Sequence, residues 1–434
     1  MEVDYTNRKI FCIAPWSTMQ VLPTGEANLC CLSPSDKVIG NITDTSIGEV
    51  WNGDKMKEIR MKILNDEPIP EYCSRCYQKE AEGFSSLRNG LNSKYAESLK
   101  PVVESTNSDG SLDEVTLKHW DFRFSNICNF ACRTCGPGFS TKWINDYKKV
   151  YDAAPVETLV ALAQRADSPL LSELKQMVGA MESLHLAGGE PLITEAHYHL
   201  LDMLLETGAK GKDIQYSTNF SITNFKKKSI FDYWEELCKS NKLRISISVD
   251  GVNEVFNYAR YPGNFDEVIA NIQELKSRNI QNLEYYIHPT VSILTVFDLP
   301  RLHRYFLEND LFHWFKMEHR GDLVADKFYD HYTQDFMINV LIYPNHYAIT
   351  NLPNCVKDEV KVVYGEHIKY LNSIGLDSSG FQKVLDSMYS AEPDPKSQEH
   401  FRDLTRRLDT VRNSSFAEAI PQLKDFYERR TFDF

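Results

Sequence analysis

The sequence predicts an α/β fold in which a cysteine-rich segment precedes a parallel sheet with helical crossovers. From about residue 115 onward, short apolar segments with strand-like alternation follow one another. Amphipathic helical segments such as 194–207 and 265–278 lie between them. Strands that alternate with helices in this way form a parallel sheet. A further observation sets the preceding segment apart, because eight of the ten cysteines fall before residue 136.

These patterns divide the chain into four parts. We predict a cysteine-bearing module over 1–90, a linker rich in Ser, Asn, Asp and Glu over 91–114, an α/β core over 115–325 and a mixed C-terminal extension over 326–434. In the extension, the apolar stretch 336–349 is expected to pair with or cap the sheet, and 401–426 is expected to be an amphipathic helix. Neither stretch carries predicted chemistry.

Five strands are predicted in the core. They are Val115–Phe124, Ser183–Ala187, Ile214–Ser217, Leu243–Val249 and Leu283–Val291. Chemistry in a parallel α/β sheet lies at the carboxyl ends of the strands. The motifs that follow these strands are therefore the candidates for a functional site.

Composition and charge narrow the function. The net charge of −13 argues against a nucleic-acid-binding surface, which needs clustered Lys and Arg. The chain has no apolar run long enough to span a membrane, and its first ten residues are too polar for a secretory signal, so we expect a cytoplasmic protein. Disulfides are rare in that reducing compartment, so clustered cysteines indicate metal or redox chemistry.

One cysteine set directly follows the first predicted strand, with the spacing Cys128-x3-Cys132-x2-Cys135. Three thiolates this close can wrap one face of an iron–sulfur cluster and leave one metal corner open, as a catalytic site requires. The alternative is a structural zinc knuckle that takes a distant fourth ligand. The position at the carboxyl end of a strand favours the catalytic interpretation.

This triad resembles the signature of the radical S-adenosylmethionine (SAM) superfamily. The ends of the later strands resemble that family's motifs in the same order: Gly188-Gly189-Glu190-Pro191 after the second, Ser217-Thr218-Asn219 after the third, and Ser248, Asp250 and then Arg260 after the fourth. The resemblance implies a partial (β/α)6 TIM-type barrel. It also implies that Gly188, Gly189, Glu190 and Pro191 bind SAM, with the two glycines beside its methionine amino group. Asn219, Ser248 and Asp250 would then hydrogen-bond its ribose or methionine, and Arg260 would lie near its carboxylate.

The same resemblance implies the chemistry. A 4Fe–4S cluster on the triad would bind SAM, receive an electron from a donor such as flavodoxin or ferredoxin, and cleave SAM to a 5′-deoxyadenosyl radical that abstracts hydrogen from a substrate. Such a protein is oxygen-sensitive. A sugar or other small metabolite is the preferred substrate, and a ribosomal peptide is the alternative. A different class, a non-catalytic zinc or iron–sulfur scaffold, stays open. Thr134 departs from the family, which usually has an aromatic residue there that packs near the adenine.

A second cysteine set lies in the N-terminal module. Cys12, Cys30, Cys73 and Cys76 make a four-thiolate set, which suits a closed cluster or a zinc ion. The pattern resembles a twitch module, the shortened relative of the SPASM auxiliary-cluster domain, and this implies an auxiliary 4Fe–4S cluster. Cys31 could replace Cys30 as a ligand, although the spacing favours Cys30.

Four further residues could take part in chemistry, and each has a simpler interpretation. Cys238 and Cys355 stand alone in the sequence, and lone thiols are usually packing residues. His288 and Glu318 could face a substrate, but polar groups at strand ends are also often structural or solvated. No general base and no catalytic residue beyond the cluster ligands is predicted.

Overall fold

The computed structural model describes residues 10–81, 85–155, 161–163, 165–313, 332–333 and 335–428. Glu318 lies outside these residues. The helices are α1 Ala14–Ser17, α2 Ile47–Trp51, α3 Asp54–Leu64, α4 Pro70–Ala81, α5 Leu87–Glu104, α6 Trp143–Tyr151, α7 Pro169–Met177, α8 Glu195–Glu206, α9 Ile230–Cys238, α10 Glu254–Ala259, α11 Phe265–Arg278, α12 Leu299–Glu308, α13 Asn354–Ser373, α14 Ser379–Met388, α15 Pro395–Arg412, α16 Phe416–Ala419 and α17 Lys424–Glu428. Within the described ranges, no helix is long and apolar enough to cross a membrane.

The strands are short. They are β1 Thr18–Val21, β2 Glu26–Asn28, β3 Gly40–Asn41, β4 His119–Phe122, β5 Ser183–Leu186, β6 Asp213–Thr218, β7 Asn224–Phe225, β8 Lys228–Ser229, β9 Lys242–Ile247, β10 Leu283–Ile287, β11 Thr290–Val291, β12 Tyr332–Thr333, β13 Phe336–Met337 and β14 Asn339–Val340. Each of the five predicted strands overlaps an observed one. The predicted helix 265–278 has the bounds of α11, and 194–207 is one residue longer than α8 at each end.

The chain folds into two compact units. The first takes its described residues from Met1–Ile127, Leu159–Tyr216 and Glu236–Leu243, and the second from Cys128–Thr158, Ser217–Glu235 and Arg244–Phe434. Strands β6 and β9 contribute residues to both. The triad cysteines belong to the second unit, and the four cysteines of the N-terminal set belong to the first.

In the first unit, strands of the predicted N-terminal module and of the predicted core share one sheet. β1 pairs with β4, β4 with β5 and β5 with β6, all in parallel, while β2 and β3 extend the sheet from β1 in antiparallel fashion. One face of the parallel strands is apolar. Its side chains are almost fully buried and come from matching positions on neighbouring strands: Met19, Trp120, Leu184 and Ile214, and next to them Val21, Phe122, Leu186 and Tyr216.

The predicted linker over 91–114 includes part of a helix. Helix α5 covers its first half, begins at a capping box formed by Ser86 and Asn89, and contacts α1. Leu91, Tyr95 and Leu99 recur at helical spacing and are buried. This apolar stripe stabilises a helix despite the polar residues between its members.

In the second unit, the C-terminal extension completes the sheet around β10. β13 pairs with β10 in parallel and β14 pairs with β11, so the prediction that 336–349 pairs with the sheet is confirmed. The single helix expected over 401–426 is instead α15 followed by two short helices. α15 begins earlier, at a cap made by Asp394, and ends at Asn413, whose backbone is left-handed (φ 50°).

Candidate functional site

The triad cysteines lie on a loop whose backbone is anchored to the chain around Arg260. The amide of Ala131 donates to the carbonyl of Tyr261 at 2.6 Å, and that of Arg133 donates to the carbonyl of Ala259 at 2.8 Å. Within the loop, the amide of Cys135 donates to the carbonyl of Cys132 at 2.9 Å. All three cysteines are half-buried as residues. The backbone hydrogen bonds fix the shape of the loop.

The guanidinium of Arg260 is the main positive charge acting on the triad. Burial raises the pKa of Cys132 to about 12, and the charge of Arg260 opposes this rise. Burial also raises the pKa of Cys135, and Arg260 again opposes it. A fixed cation beside two of the three ligands favours their thiolate forms, which are the forms that bind metal.

Asp250 holds Arg260 in this position. Its Oδ2 lies 2.7 Å from Nε of Arg260 and its Oδ1 accepts from Nη2 at 2.9 Å, while the amide of Thr290 donates to Oδ1 at 2.7 Å. Both side chains are nearly buried. The structure thus joins two residues that the sequence analysis treated separately. It assigns Asp250 a positioning contact with Arg260 in addition to its expected contact with SAM.

Asn219 contacts the beginning of the cysteine loop. Its Nδ2 donates to Oδ1 of Asn129 at 2.9 Å and lies 3.9 Å from Sγ of Cys128. Ser248 lies at the neighbouring strand end, where its amide donates to the carbonyl of Thr218 at 2.9 Å. Asn129, which the sequence analysis did not single out, therefore links the Asn219 motif to the triad.

The Gly188–Pro191 turn belongs to the first unit and packs on the backbone that leads into Cys128. The amide of Gly189 donates to the carbonyl of Ser125 and that of Glu190 to the carbonyl of Ile127, both at 2.8 Å. A Cβ on Gly189 would lie 2.1 Å from the carbonyl oxygen of Ile127, and Gly188 has φ +131°. Both positions therefore require glycine.

Glu190 has a structural contact that the motif alone does not reveal. Its side chain is buried, and Oε1 accepts from the amide of Leu192 at 3.1 Å, which caps the short 3-10 helix Pro191–Ile193. The contact stabilises the turn that presents the Gly188 and Gly189 backbone. The expectation that Glu190 and Pro191 contact SAM directly stays a prediction.

The C-terminal extension holds the cysteine loop through buried ion pairs, although no role was predicted for it. Arg133 is 1% exposed, pairs with Asp409 of α15, and lies with Cζ 3.6 Å from the ring centre of Tyr258. Arg412, also of α15, pairs with Asp146 of α6 at 2.9 Å. The loop and the extension are thus parts of one packed cluster.

The four cysteines of the N-terminal set line one cavity. Helix α4 presents Cys73 and Cys76 on one buried face, and Cys12 and Cys30 come from the segments before α1 and after β2. Burial, then the nearby thiols Cys30 and Cys76, raise the pKa of Cys73 to about 12. Burial, then the thiols of Cys73, Cys30 and Cys76, raise the pKa of Cys12 well above its usual value. Mutual effects of this kind show that the four sulfur atoms lie close together.

Cys31 does not line this cavity and is exposed, so the structure favours Cys30 as the fourth thiol. Arg75 and Arg88 line the cavity beside the cysteines. Among the residues that the structure describes, no three His, Cys, Asp or Glu side chains are placed to ligate a single metal ion. An all-thiol set beside cations has the donor chemistry of an iron–sulfur cluster, and so does the three-thiol loop.

Family comparisons agree with both sites. A model of the SPASM iron–sulfur cluster-binding domain matches residues 12–77, which include all four cysteines of the N-terminal set. A model of the radical SAM superfamily matches residues 122–299, from the triad to beyond Arg260. The fold and the two cysteine sites thus define a protein with thiol sets for two iron–sulfur clusters. The chain carries a radical SAM domain over residues 122–299 and an SPASM-type domain over residues 12–77. The cofactors of these domains are a SAM-binding 4Fe–4S cluster, an auxiliary iron–sulfur cluster and SAM.

Solved structures show a more distant likeness. Native anSMEcpe with bound AdoMet is 18% identical with a TM-score of 0.33, over 57% of this chain and 60% of that one. SuiB of Streptococcus suis bound to S-adenosylmethionine is 13% identical with a TM-score of 0.36. The match covers 83% of this chain and 70% of SuiB. SuiB bound to its precursor peptide SuiA is 12% identical with a TM-score of 0.37. This match covers 87% of this chain and 78% of SuiB. The chain thus spans less than two thirds of anSMEcpe. No curated protein matches the sequence.

Proposed function

We propose that this protein binds SAM at a 4Fe–4S cluster held by Cys128, Cys132 and Cys135, and acts on a sugar or another small metabolite. The cluster, when reduced, supplies reductive cleavage of SAM and hence a radical that abstracts hydrogen from the substrate. The observation that carries the proposal is the three-thiol loop with Arg260 fixed against it.

Each residue around the loop has a task that follows from its contacts. Asp250 orients Arg260, whose planar guanidinium suits a carboxylate such as that of SAM. Asn219 and Asn129 keep the first cysteine of the loop next to the third strand end. The superfamily resemblance implies that the Gly188 and Gly189 backbone lies beside the amino group of SAM, while the contact of Gly189 in the structure is with the carbonyl of Ser125.

The four-thiol set supports a separate task. Cys12, Cys30, Cys73 and Cys76 can fill four ligand positions, so this site suits electron transfer or structural support better than SAM binding. Arg75 and Arg88 would offset part of the negative charge of four thiolates.

The test is anaerobic reconstitution with iron and sulfide, followed by reduction with dithionite in the presence of SAM. We expect 5′-deoxyadenosine, measured by mass spectrometry, from the wild-type protein. Cys128→Ala, Cys132→Ala and Cys135→Ala should each abolish it. The matched control is Cys355→Ala, an exposed thiol outside both sets, which should keep full yield. Absence of 5′-deoxyadenosine from a protein with full iron content would support the scaffold class instead.

Cys73→Ala tests the division into two sites. It should lower the iron content by about one cluster and spare cleavage of SAM in the absence of substrate, because the triad keeps its ligands. Loss of both clusters would show that the two sites are not separate.

A further inference from the structure

A cavity opens beside the cysteine loop within the second unit. It holds about 520 Å³ and lies between loop residues 135–137, one face of α6, the segment 343–346 and the start of α15. Cys135 is among the residues that line it. The predicted SAM contacts of this unit, all described by the structure, do not line it: Asn219, Ser248, Asp250 and Arg260. The cavity therefore reaches a cluster ligand without reaching the SAM motifs.

This position suits the delivery of an electron better than the binding of a substrate. A hydrogen atom is transferred only between groups in close contact, so the substrate has to meet SAM itself. An electron can cross intervening protein, so its donor needs only to come near the cluster. A site that includes Cys135 but no SAM-motif residue of this unit meets the second requirement and not the first.

The rim of the cavity is apolar and exposed. Ile342 and Tyr343 are 82% and 84% exposed, and Phe139 and Tyr151 are 40% and 41% exposed. They are four of the seven large hydrophobic residues that are exposed in the described part of the chain, and all four lie on segments that border this cavity. Exposed apolar groups concentrated in this way mark a surface that binds another protein.

The charge beside this rim is positive, although the chain as a whole carries a net charge of −13. The described residues that line the cavity include Lys396 but no aspartate or glutamate. Helix α6 adds the exposed Lys148 and Lys149, while its single carboxylate, Asp146, is paired with Arg412. An acidic protein is repelled by the net charge of the chain and attracted by these lysines, so charge favours its encounter with this surface.

Helix α6 connects the surface to the cysteine loop. At its first residue, Nε1 of Trp143 donates to the carbonyl of Cys132 at 2.7 Å. At its last residue, Tyr151 is exposed, and the ring centres of Tyr147 and Tyr151 lie 4.5 Å apart. The three aromatic residues recur every four positions, so they share the helix face that lines the cavity. Aromatic side chains thus extend from the backbone of a cluster ligand to solvent.

We propose that this surface docks an acidic redox protein of the flavodoxin or ferredoxin type, which reduces the cluster on Cys128, Cys132 and Cys135. The inference rests on the proposed function, because the electron delivered here is the one that cleavage of SAM consumes. The donor is oxidised by one electron, the cluster gains that electron, and no bond forms or breaks in the step. The superfamily resemblance implies a donor of this kind but does not say where it binds.

The test is stopped-flow reduction of the reconstituted protein without oxygen. The donors are flavodoxin hydroquinone and reduced ferredoxin, and dithionite, which needs no docking surface, is the comparison. Lys396→Glu combined with Tyr343→Ala should slow reduction by a protein donor about tenfold or more at low salt, and the difference should shrink as salt rises. The control is Lys361→Glu with Val362→Ala, the same charge change at exposed residues of α13 that do not line the cavity.

Lys396 and Tyr343 are both exposed, so their replacement should leave the fold intact. Slower reduction by the protein donors with an unchanged dithionite rate supports the inference. Reduction of the wild type by neither donor, equal rates in the test and control variants, or an equal slowing with dithionite would each overturn it. The yield of 5′-deoxyadenosine with dithionite is measured on the same samples. Absence of that product with donor-dependent reduction intact would refute the proposed function and leave the docking surface standing.

Discussion

Replacement of Asp409 tests whether the C-terminal extension holds the cysteine loop. The Asp409 carboxylate accepts from Tyr258 Oη at 2.8 Å, from Ser414 Oγ at 2.9 Å and from the amide of Phe416 at 2.8 Å, and it pairs with Arg133 of the loop. Asp409→Ala removes all four contacts. It also leaves the guanidinium of Arg133 buried without its partner.

The magnitude follows from the burial of the pair. The side chains of Arg133 and Asp409 are 1% and 12% exposed, so solvent cannot compensate the lost charge. Breaking a buried ion pair by removing one partner costs about 3–5 kcal/mol. Because Arg133 lies between Cys132 and Thr134, part of this loss should appear as a looser cysteine loop with a lower content of the SAM-binding cluster.

The assay is urea unfolding of the reconstituted protein, with iron content and the reduced-cluster EPR signal measured in parallel. The control is Asp403→Ala on the same helix, which breaks an exposed pair with Arg407 at 2.9 Å. Pairs of that kind contribute about 0–1 kcal/mol. If Asp409→Ala destabilises the protein no more than Asp403→Ala does, the extension does not hold the loop.

Three further outcomes are expected. Gly189→Ala should greatly reduce 5′-deoxyadenosine yield, because its Cβ would clash with the carbonyl of Ile127; a yield equal to wild type would contradict this. Cys30→Ser should lower auxiliary iron, and Cys31→Ser should not; iron lost from Cys31→Ser but kept in Cys30→Ser would reverse our ligand assignment. Burial and then Arg304 lower the pKa of His367 from 6.5 to about 4, so the unfolded chain gains a proton first as pH falls. Titration of His367 should therefore lower the free energy of unfolding between about pH 6.5 and 4 by up to about 1.4 kcal/mol per pH unit, and His367→Gln should show a smaller drop in its urea midpoint than the wild type.

The parts of the site that the sequence predicted are those encoded locally. The triad, the Gly188–Pro191 turn and Asn219 each follow a short strand whose alternation is visible in the sequence, so their positions at strand ends could be inferred. The helix over 87–104 could also have been inferred from its apolar spacing. The polar composition of 91–114 obscured that pattern.

The parts that the sequence did not predict depend on contacts between distant residues. Arg133 and Asp409 are 276 positions apart, and neither stands out by type or spacing. The hydrogen bond from Gln20 to Asp121 in the first unit's sheet is equally hidden, because it becomes visible only when the register of β1 and β4 is known. Periodicity shows that a residue faces one side of a strand, but it does not show which residues lie beside it.

The pairing of β1 with β4 has a consequence for how the protein is made. About a hundred residues separate the two strands, so the first strand has no parallel partner until β4 has left the ribosome. Until then the N-terminal segment presents an open strand edge, which invites pairing with other chains. Removing residues 1–90 would expose the same edge on β4. A fragment lacking the N-terminal module should therefore tend to aggregate rather than behave as a smaller enzyme.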